Sequence, residues 1–177
     1  FGDYKAPLAI YLNGVSTAIF GLNAFAIRSP FALASVFSLW FFMLLVELLL
    51  REKTPHSIKY AAAAGFLMSI TPWHLHFGRL GFENNFALLF VLAGVYFLFL
   101  QLKTLRTWRG ELFCEKWFSW RFLFSGLCFS LSLYSYHSTK VFIPVFLLFL
   151  FLTNLKYFCQ HWRILVLPLL FSAVLLF

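Results

Sequence analysis

The sequence predicts an all-α fold: a polytopic transmembrane helical bundle with one amphipathic helix in the membrane interface. Three observations carry this. The 177 residues are 62% hydrophobic, 22% aromatic and only 11% charged. Mean hydropathy is +0.86. A soluble chain of this size exposes too much surface to hide that much apolar area, so the bilayer has to act as part of the solvent. Finally, the charges are confined to short segments between apolar runs. With Phe1 in place of a start methionine and Phe177 inside an apolar run, the chain is expected to be an excerpt of a longer protein, organised as one transmembrane domain over 1–177.

The elements follow in order. Residues 1–5 are polar and turn-like, and Pro7 suits the first turn of a helix. Leu8, Tyr11, Leu12, Val15, Ile19 and Leu22 keep helical spacing, with Asn13, Ser16 and Thr17 between them. This pattern predicts an interfacial amphipathic region over 6–27, with Gly21 and Asn23 as breakers near its end. Residues 31–50 form the clearest span, since twenty residues at ~1.5 Å each cover the roughly 30 Å hydrocarbon core. Pro30 stands at its expected start and Glu47 is its only charge, in the last turn. A polar loop, 51–59, precedes a shorter Ala-rich helix at 60–73 that closes on Thr71-Pro72-Trp73. Further membrane helices are expected at about 84–102, 122–139, 141–155 and 164–177, with Pro144 in the first turn of the third of these.

The net charge of +8 would suggest nucleic acid in a soluble protein. Here no basic-aromatic ladder accompanies it, and the basic residues sit in loops, where they act as topological signals and contact lipid headgroups. The loops 51–59, 103–121 and 156–163 hold three, five and two Lys or Arg, ten in all, against four on the other side: Lys5, Arg28, Arg79 and Lys140. The positive-inside rule places the three basic loops in the cytoplasm. Lys5, the 74–85 segment and the 134–140 segment then emerge together on the outer face. Polar residues at the mouth of a helical bundle are expensive unless paired or bound to something, so these segments are candidates for one cavity.

Each candidate has two readings. Lys5, just before a helix, suits a phosphate or anchors to headgroups. Arg79 and Glu83 stand four apart and pair if the segment is helical; otherwise Arg79 suits an anionic phosphate and Glu83 a hydroxyl. Asn84 and Asn85 offer amides to sugar hydroxyls or cap the next helix. Tyr134, Tyr136, His137 and Lys140 form a snorkelling helix end or more of the cavity wall. Arg28 is an anchor or reaches the same cavity. His74 and His76 are interfacial hydrogen-bonding groups, with Trp73 in an aromatic belt. As metal ligands with Glu83 they are poorly placed, because positions i and i+2 of a helix point apart. No cofactor is firmly implied, and a divalent metal has no support in the spacing of His and Cys. Cys114, Cys128 and Cys159 are far apart and odd in number, which points to free thiols.

Four stretches carry a family resemblance. Asp3-Tyr4-Lys5-Ala6-Pro7-Leu8-Ala9-Ile10-Tyr11-Leu12 resembles the K-P-P-L-x-x-Y-L stretch of polyprenyl-phosphate-dependent glycosyltransferases, which include the protein O-mannosyltransferases and the lipid A aminoarabinose transferases. The run from Phe20 to Leu33 is similar to their F-G-x-n-x-x-A-x-R-l-P-S-A-L. Ser69 to Asn85 is similar to S-P-W-H-x-x-f-S-R-x-g-f-E-x-N, and Leu131 to Lys140 to L-s-x-Y-s-Y-x-s-a-r/k. The order matches the family's and covers nearly the whole chain. The chain departs at Ala6, in place of the second proline of K-P-P, and at Phe31, in place of the serine of P-S-A.

The resemblance implies a GT-C membrane fold with an outer-face active site and inverting transfer of a sugar from a polyprenyl-phosphate donor to a lipid, glycan or protein acceptor. It implies that Lys5 faces the donor phosphate, with Arg28 and Arg79 in support. The family's catalytic Asp lies in a first outer loop, which is expected upstream of Phe1; Asp3 is the only acid in the stub present, outside any acidic pair, and is not assigned as the base. A bacterial or archaeal plasma membrane is the expected setting. The competing readings are a membrane transporter or lipid flippase and a purely structural membrane subunit. A transporter favours broken helices at the midplane and internal repeats, whereas the charges here gather at one face.

Overall fold

The computed structural model describes residues 7–107 and 120–153. Seven α-helices occupy these residues: α1 (Pro7–Phe20), α2 (Ala24–Leu50), α3 (Ser57–Ile70), α4 (Pro72–Leu80), α5 (Asn84–Thr107), α6 (Trp120–Ser135) and α7 (Thr139–Thr153). Lys5, Cys114, Cys159, the 156–163 loop and the helix expected at 164–177 lie outside the described residues. The fold is all-α, as the sequence predicts. By length and composition α2 and Asn84–Thr104 of α5 can cross a membrane; the 27 residues of α2 span about 40 Å.

Several boundaries differ from expectation for local reasons. Gly21 stops α1 by taking the left-handed conformation, φ 76°. Asn23 then joins the two helices: its Nδ2 donates to the Phe20 carbonyl at 2.8 Å, and its Oδ1 accepts from Ala26 N–H at 2.7 Å as the N-cap of α2. So α2 starts at Ala24, not near 31, and Arg28 belongs to its first turns. Pro30 is therefore inside the helix, not at its start. Proline has no N–H for the carbonyl four residues back, that of Ala26. Ser16 Oγ of α1 donates to that carbonyl at 2.7 Å. The helix expected at 60–73 is instead two, α3 and α4, broken at Thr71. Both ends of the expected 103–121 loop are helical, since α5 continues to Thr107 and α6 begins at Trp120; residues 108–119 lie outside the described residues. The element expected at 122–139 ends at Ser135, and Thr139 opens α7. The Thr139 hydroxyl donates to the carbonyls of Ser132 and Tyr136 at 2.8 and 2.6 Å, closing the α6–α7 turn.

Helix α5 is central, packed most extensively against α6 and α2. It runs parallel to α2: Phe31 meets Phe86, Phe41 meets Tyr96 and Phe97, and Lys103 Nζ donates to the Leu48 carbonyl. Helix α6 runs antiparallel to α5, with Ser125, Ser132 and Ser135 donating to the carbonyls of Gly94, Ala87 and Glu83 at 2.8, 3.2 and 3.0 Å. Gly94 makes this approach possible, since a Cβ there would lie 2.8 Å from the Phe129 ring. One apolar cluster gathers Val95, Leu98, Phe129, Leu133 and Ile143; a second joins Ala9, Phe31, Ala34 and Phe86.

The packing is inverted relative to a water-soluble protein. Ser16, Ser38, Ser125, Ser130, Ser132, Ser135 and Thr139 are buried, while Leu22 is 90% exposed and Tyr11, Ile19 and Val141 each 69%. Small hydroxyl residues between helices and large apolar ones outside is the pattern lipid favours. In α1 the polar Asn13, Ser16 and Thr17 turn toward the bundle, and Tyr11, Val15 and Ile19 point away.

The chain alternation gives the bundle two ends. One carries the basic segments, where Lys103 pairs with Glu52 at 3.3 Å and Arg121 donates to Thr104 Oγ1 at 2.9 Å. The other gathers α1, the start of α2, α4, the start of α5 and the α6–α7 turn.

Candidate active site

The second end contains a cavity of about 450 Å³, lined by Ala9, Ile10 and Asn13 of α1, Phe31 of α2, Phe77, Gly81, Phe82, Glu83 and Asn84 around the α4–α5 junction, and Tyr136 of the α6–α7 turn. Local sequence explains how these meet. Pro72 occupies the first turn of α4 after an extended Thr71, and Gly81 ends α4 in the left-handed conformation, φ 71°. Gly81 also packs on Phe31: a Cβ there would lie 3.2 Å from the ring, with φ strained as well. Gly78 seats α4 on α2, for a Cβ there would lie 2.8 Å from Ser35 Oγ. The chain then turns, Asn85 N–H donates to the Phe82 carbonyl at 3.2 Å, and α5 begins with Asn84 and Glu83 at the cavity. On the facing side the Ser135 hydroxyl donates to the Glu83 carbonyl.

The cavity joins an aromatic floor to a polar wall. Phe31 and Phe86 stand 5.1 Å apart between ring centroids, Phe77 stacks on Trp73 at 5.2 Å and meets Phe82 edge-on at 5.6 Å. The polar residues of its lining are Asn13, Glu83, Asn84 and Tyr136. Among the described residues no Lys or Arg lines it.

Of the residues singled out by sequence, Glu83, Asn84 and Tyr136 line the cavity. Asn85 is beside it and buried, 3% exposed, with its Nδ2 lacking a partner among the described residues. His74 is half-buried on α4, and its Nδ1 is buried without a partner among the described residues. Burial lowers the His74 pKa from its ordinary value, and the backbone of Ser35 offsets part of this. His76 is exposed against the Phe77 ring, centroids 5.9 Å apart. Arg28, Arg79, His137 and Lys140 are exposed at the same end of the bundle, outside the cavity lining. The helical spacing that would pair Arg79 with Glu83 is lost, because α4 ends between them at Gly81. No three His, Cys, Asp or Glu side chains converge as a metal site among the described residues. Cys128 is a free thiol on α6.

Sequence reasoning overlooked Asn13, Phe31, Phe77 and Phe82 as cavity residues. The available signal was Asn13, the one amide on the polar side of α1.

Residues 4–177 match the family model described as dolichyl-phosphate-mannose-protein mannosyltransferase. No curated protein and no solved structure matches the chain. The family match runs through every described helix and takes in each cavity residue, from Ala9 to Tyr136. By that match the chain belongs to the dolichyl-phosphate-mannose-protein mannosyltransferase family, and with it to the membrane-embedded glycosyltransferases.

Proposed function

We propose that this end of the bundle transfers a sugar, mannose or a close relative, from a polyprenyl-phosphate donor to an acceptor hydroxyl on the non-cytoplasmic face, with inversion at the anomeric carbon. The observation that carries the reading is the cavity, lined by polar and aromatic residues together at the end opposite the Glu52–Lys103 pair. Aromatic faces suit the C–H faces of a sugar ring, and Glu83, Asn84 and Tyr136 suit its hydroxyls. The exposed apolar sides of α1 and α2 leave the donor's tail in lipid while its head enters the bundle.

In the step itself, the acceptor oxygen bonds to the anomeric carbon as the bond to the phosphate oxygen breaks. Polyprenyl phosphate leaves with the electron pair, and the acceptor's proton goes to a carboxylate base. Lys5, two residues before α1 in the sequence, stabilises the charge growing on the leaving phosphate, assisted by Arg28 and Arg79, which are exposed at the cavity's end of the bundle. Orientation with the basic loops in the cytoplasm follows from their charge excess.

Membranes containing the protein, supplied with radiolabelled polyprenyl-phosphate mannose, test this. Free polyprenyl phosphate and a labelled acceptor should appear together. A transporter or flippase would move the intact donor and release neither. Lys5→Ala should reduce donor turnover by one to several orders of magnitude without lowering the Tm, and transfer at the unmodified rate would remove Lys5 from this role.

A further inference from the structure

The cavity has a mouth and a closed end, and exposure tells them apart. Ile10 and Phe82 are 60% and 49% exposed, whereas Ala9 and Phe31 are 7% and 1% exposed. Phe31 therefore offers a ligand almost no surface; what it contributes is filled volume. Its neighbours fix the ring there. Phe86 stands 5.1 Å away between centroids, and Ala9 and Ala34 pack in the same buried cluster. Gly81 lies so close that a Cβ would come within 3.2 Å of the ring. Packing of this density leaves the ring no second position, so it closes the cavity as a rigid wall.

Taking the cavity as the donor site, as proposed above, chemistry places the three parts of the donor. The prenyl tail stays in lipid. The phosphate needs cations, and among the described residues none lines the cavity, while Arg28 and Arg79 are exposed outside its lining. The sugar is polar and neutral, so it is the part that goes inside, toward the end that Phe31 closes. At about 450 Å³ the cavity is at the lower end of the range for ligand sites, and the volume of one phenyl ring decides what fits. A serine, the residue at this position in the stretch that the chain resembles, would leave that volume open.

We infer that Phe31 is a specificity-determining residue: it sets the depth of the cavity and so confines transfer to sugars without an added substituent on the edge that faces it. The selection is steric, and Phe31 takes no part at the reacting bond.

The test uses polyprenyl-phosphate mannose and its mono-O-methyl analogues in membranes containing the unmodified protein, Phe31→Ser, Phe31→Leu or Phe129→Leu. Each result is the ratio of kcat/KM for an analogue to that for mannose in the same membranes, so it does not depend on how much protein folds. In the unmodified protein, at least one O-methyl analogue should lose about tenfold or more, the scale on which a pocket rejects one extra carbon. Phe31→Ser should recover most of that loss, Phe31→Leu part of it, and penalties at the other positions should persist. Phe129→Leu, which truncates an equally buried ring in the α5–α6 packing, should lower the Tm and leave every ratio as it was. Should Phe31→Ser fail to fold, Phe31→Leu carries the comparison. An unmodified protein that accepts every analogue as well as mannose would overturn the assignment, and so would ratios that shift equally in Phe129→Leu. If the unmodified protein turns over no polyprenyl-phosphate sugar at all, the functional reading itself fails and this inference with it. If it turns over the donor and the Phe31 variants keep its profile, only the role of Phe31 fails.

Discussion

At the scale of single residues, His74 offers a pH-dependent signature. Its folded pKa is lowered, so the unfolded chain binds the proton more readily than the folded one. Stability should therefore be unaffected by this group above its ordinary value of 6.5 and decline as pH falls from there toward the lower folded value. His74→Gln should flatten that decline, as measured by Tm between about pH 7.5 and pH 5. An identical acid-side loss in both proteins would show that other groups govern it. Residue identity also explains what was legible. Glu83, Asn84 and Tyr136 stood out as polar groups at the ends of apolar runs, and the structure places them around one cavity. Phe31, Phe77 and Phe82 did not stand out, because an aromatic ring fits a binding floor and a lipid-facing surface equally well. Arg79 and Glu83 looked like a helical pair until Gly81 ended the helix between them.

Among helices, close approach depends on what each glycine faces. At Gly94 a Cβ would strike the Phe129 ring at 2.8 Å, and Phe129 is 1% exposed with nowhere to go. At Gly65 a Cβ would come within 2.5 Å of the Met43 side chain, an unbranched chain with three rotatable bonds. Gly94→Ala should thus separate α5 from α6, weaken the Ser125 hydrogen bond and cost about 1–3 kcal/mol. Gly65→Ala should cost less than about 1 kcal/mol, with its gain in helix propensity offsetting much of the repacking. Thermal unfolding in one detergent ranks the two, and equal losses would contradict the distinction. Helix existence was largely readable from apolar runs, but facing was not. Helical spacing in α1 identifies a polar stripe beside an apolar one without saying which meets protein and which meets lipid. The start of α2 was hidden because Pro30 is acceptable both as a first-turn residue and, given an outside donor for Ala26, within the helix.

For the molecule as a whole, antiparallel alternation puts the basic segments at one end and the cavity at the other. In a bilayer with the proposed orientation, a cysteine introduced at Lys53 should react with an impermeant thiol reagent only from the cytoplasmic side, and one at Ser138 only from the outer side. Background variants lacking Cys114, Cys128 and Cys159 make the labelling unambiguous, and reversed labelling would invert the topology. The attachment of α1 bears on this whole arrangement. Because Pro30 cannot reach the Ala26 carbonyl, that oxygen is left for Ser16, and the seam between α1 and α2 is held by a partner that an unbroken helix would withhold. Pro30→Ala would restore regularity to α2 while removing the reason for α1 to stay. In a double-mutant cycle, Ser16→Ala should then be costly when Pro30 is present and nearly silent in the Pro30→Ala background, with backbone amides of α1 exchanging hydrogen faster in the more regular protein. A defect in one helix thereby becomes the joint that assembles the cavity, so mending it would be expected to disassemble the site while improving the helix.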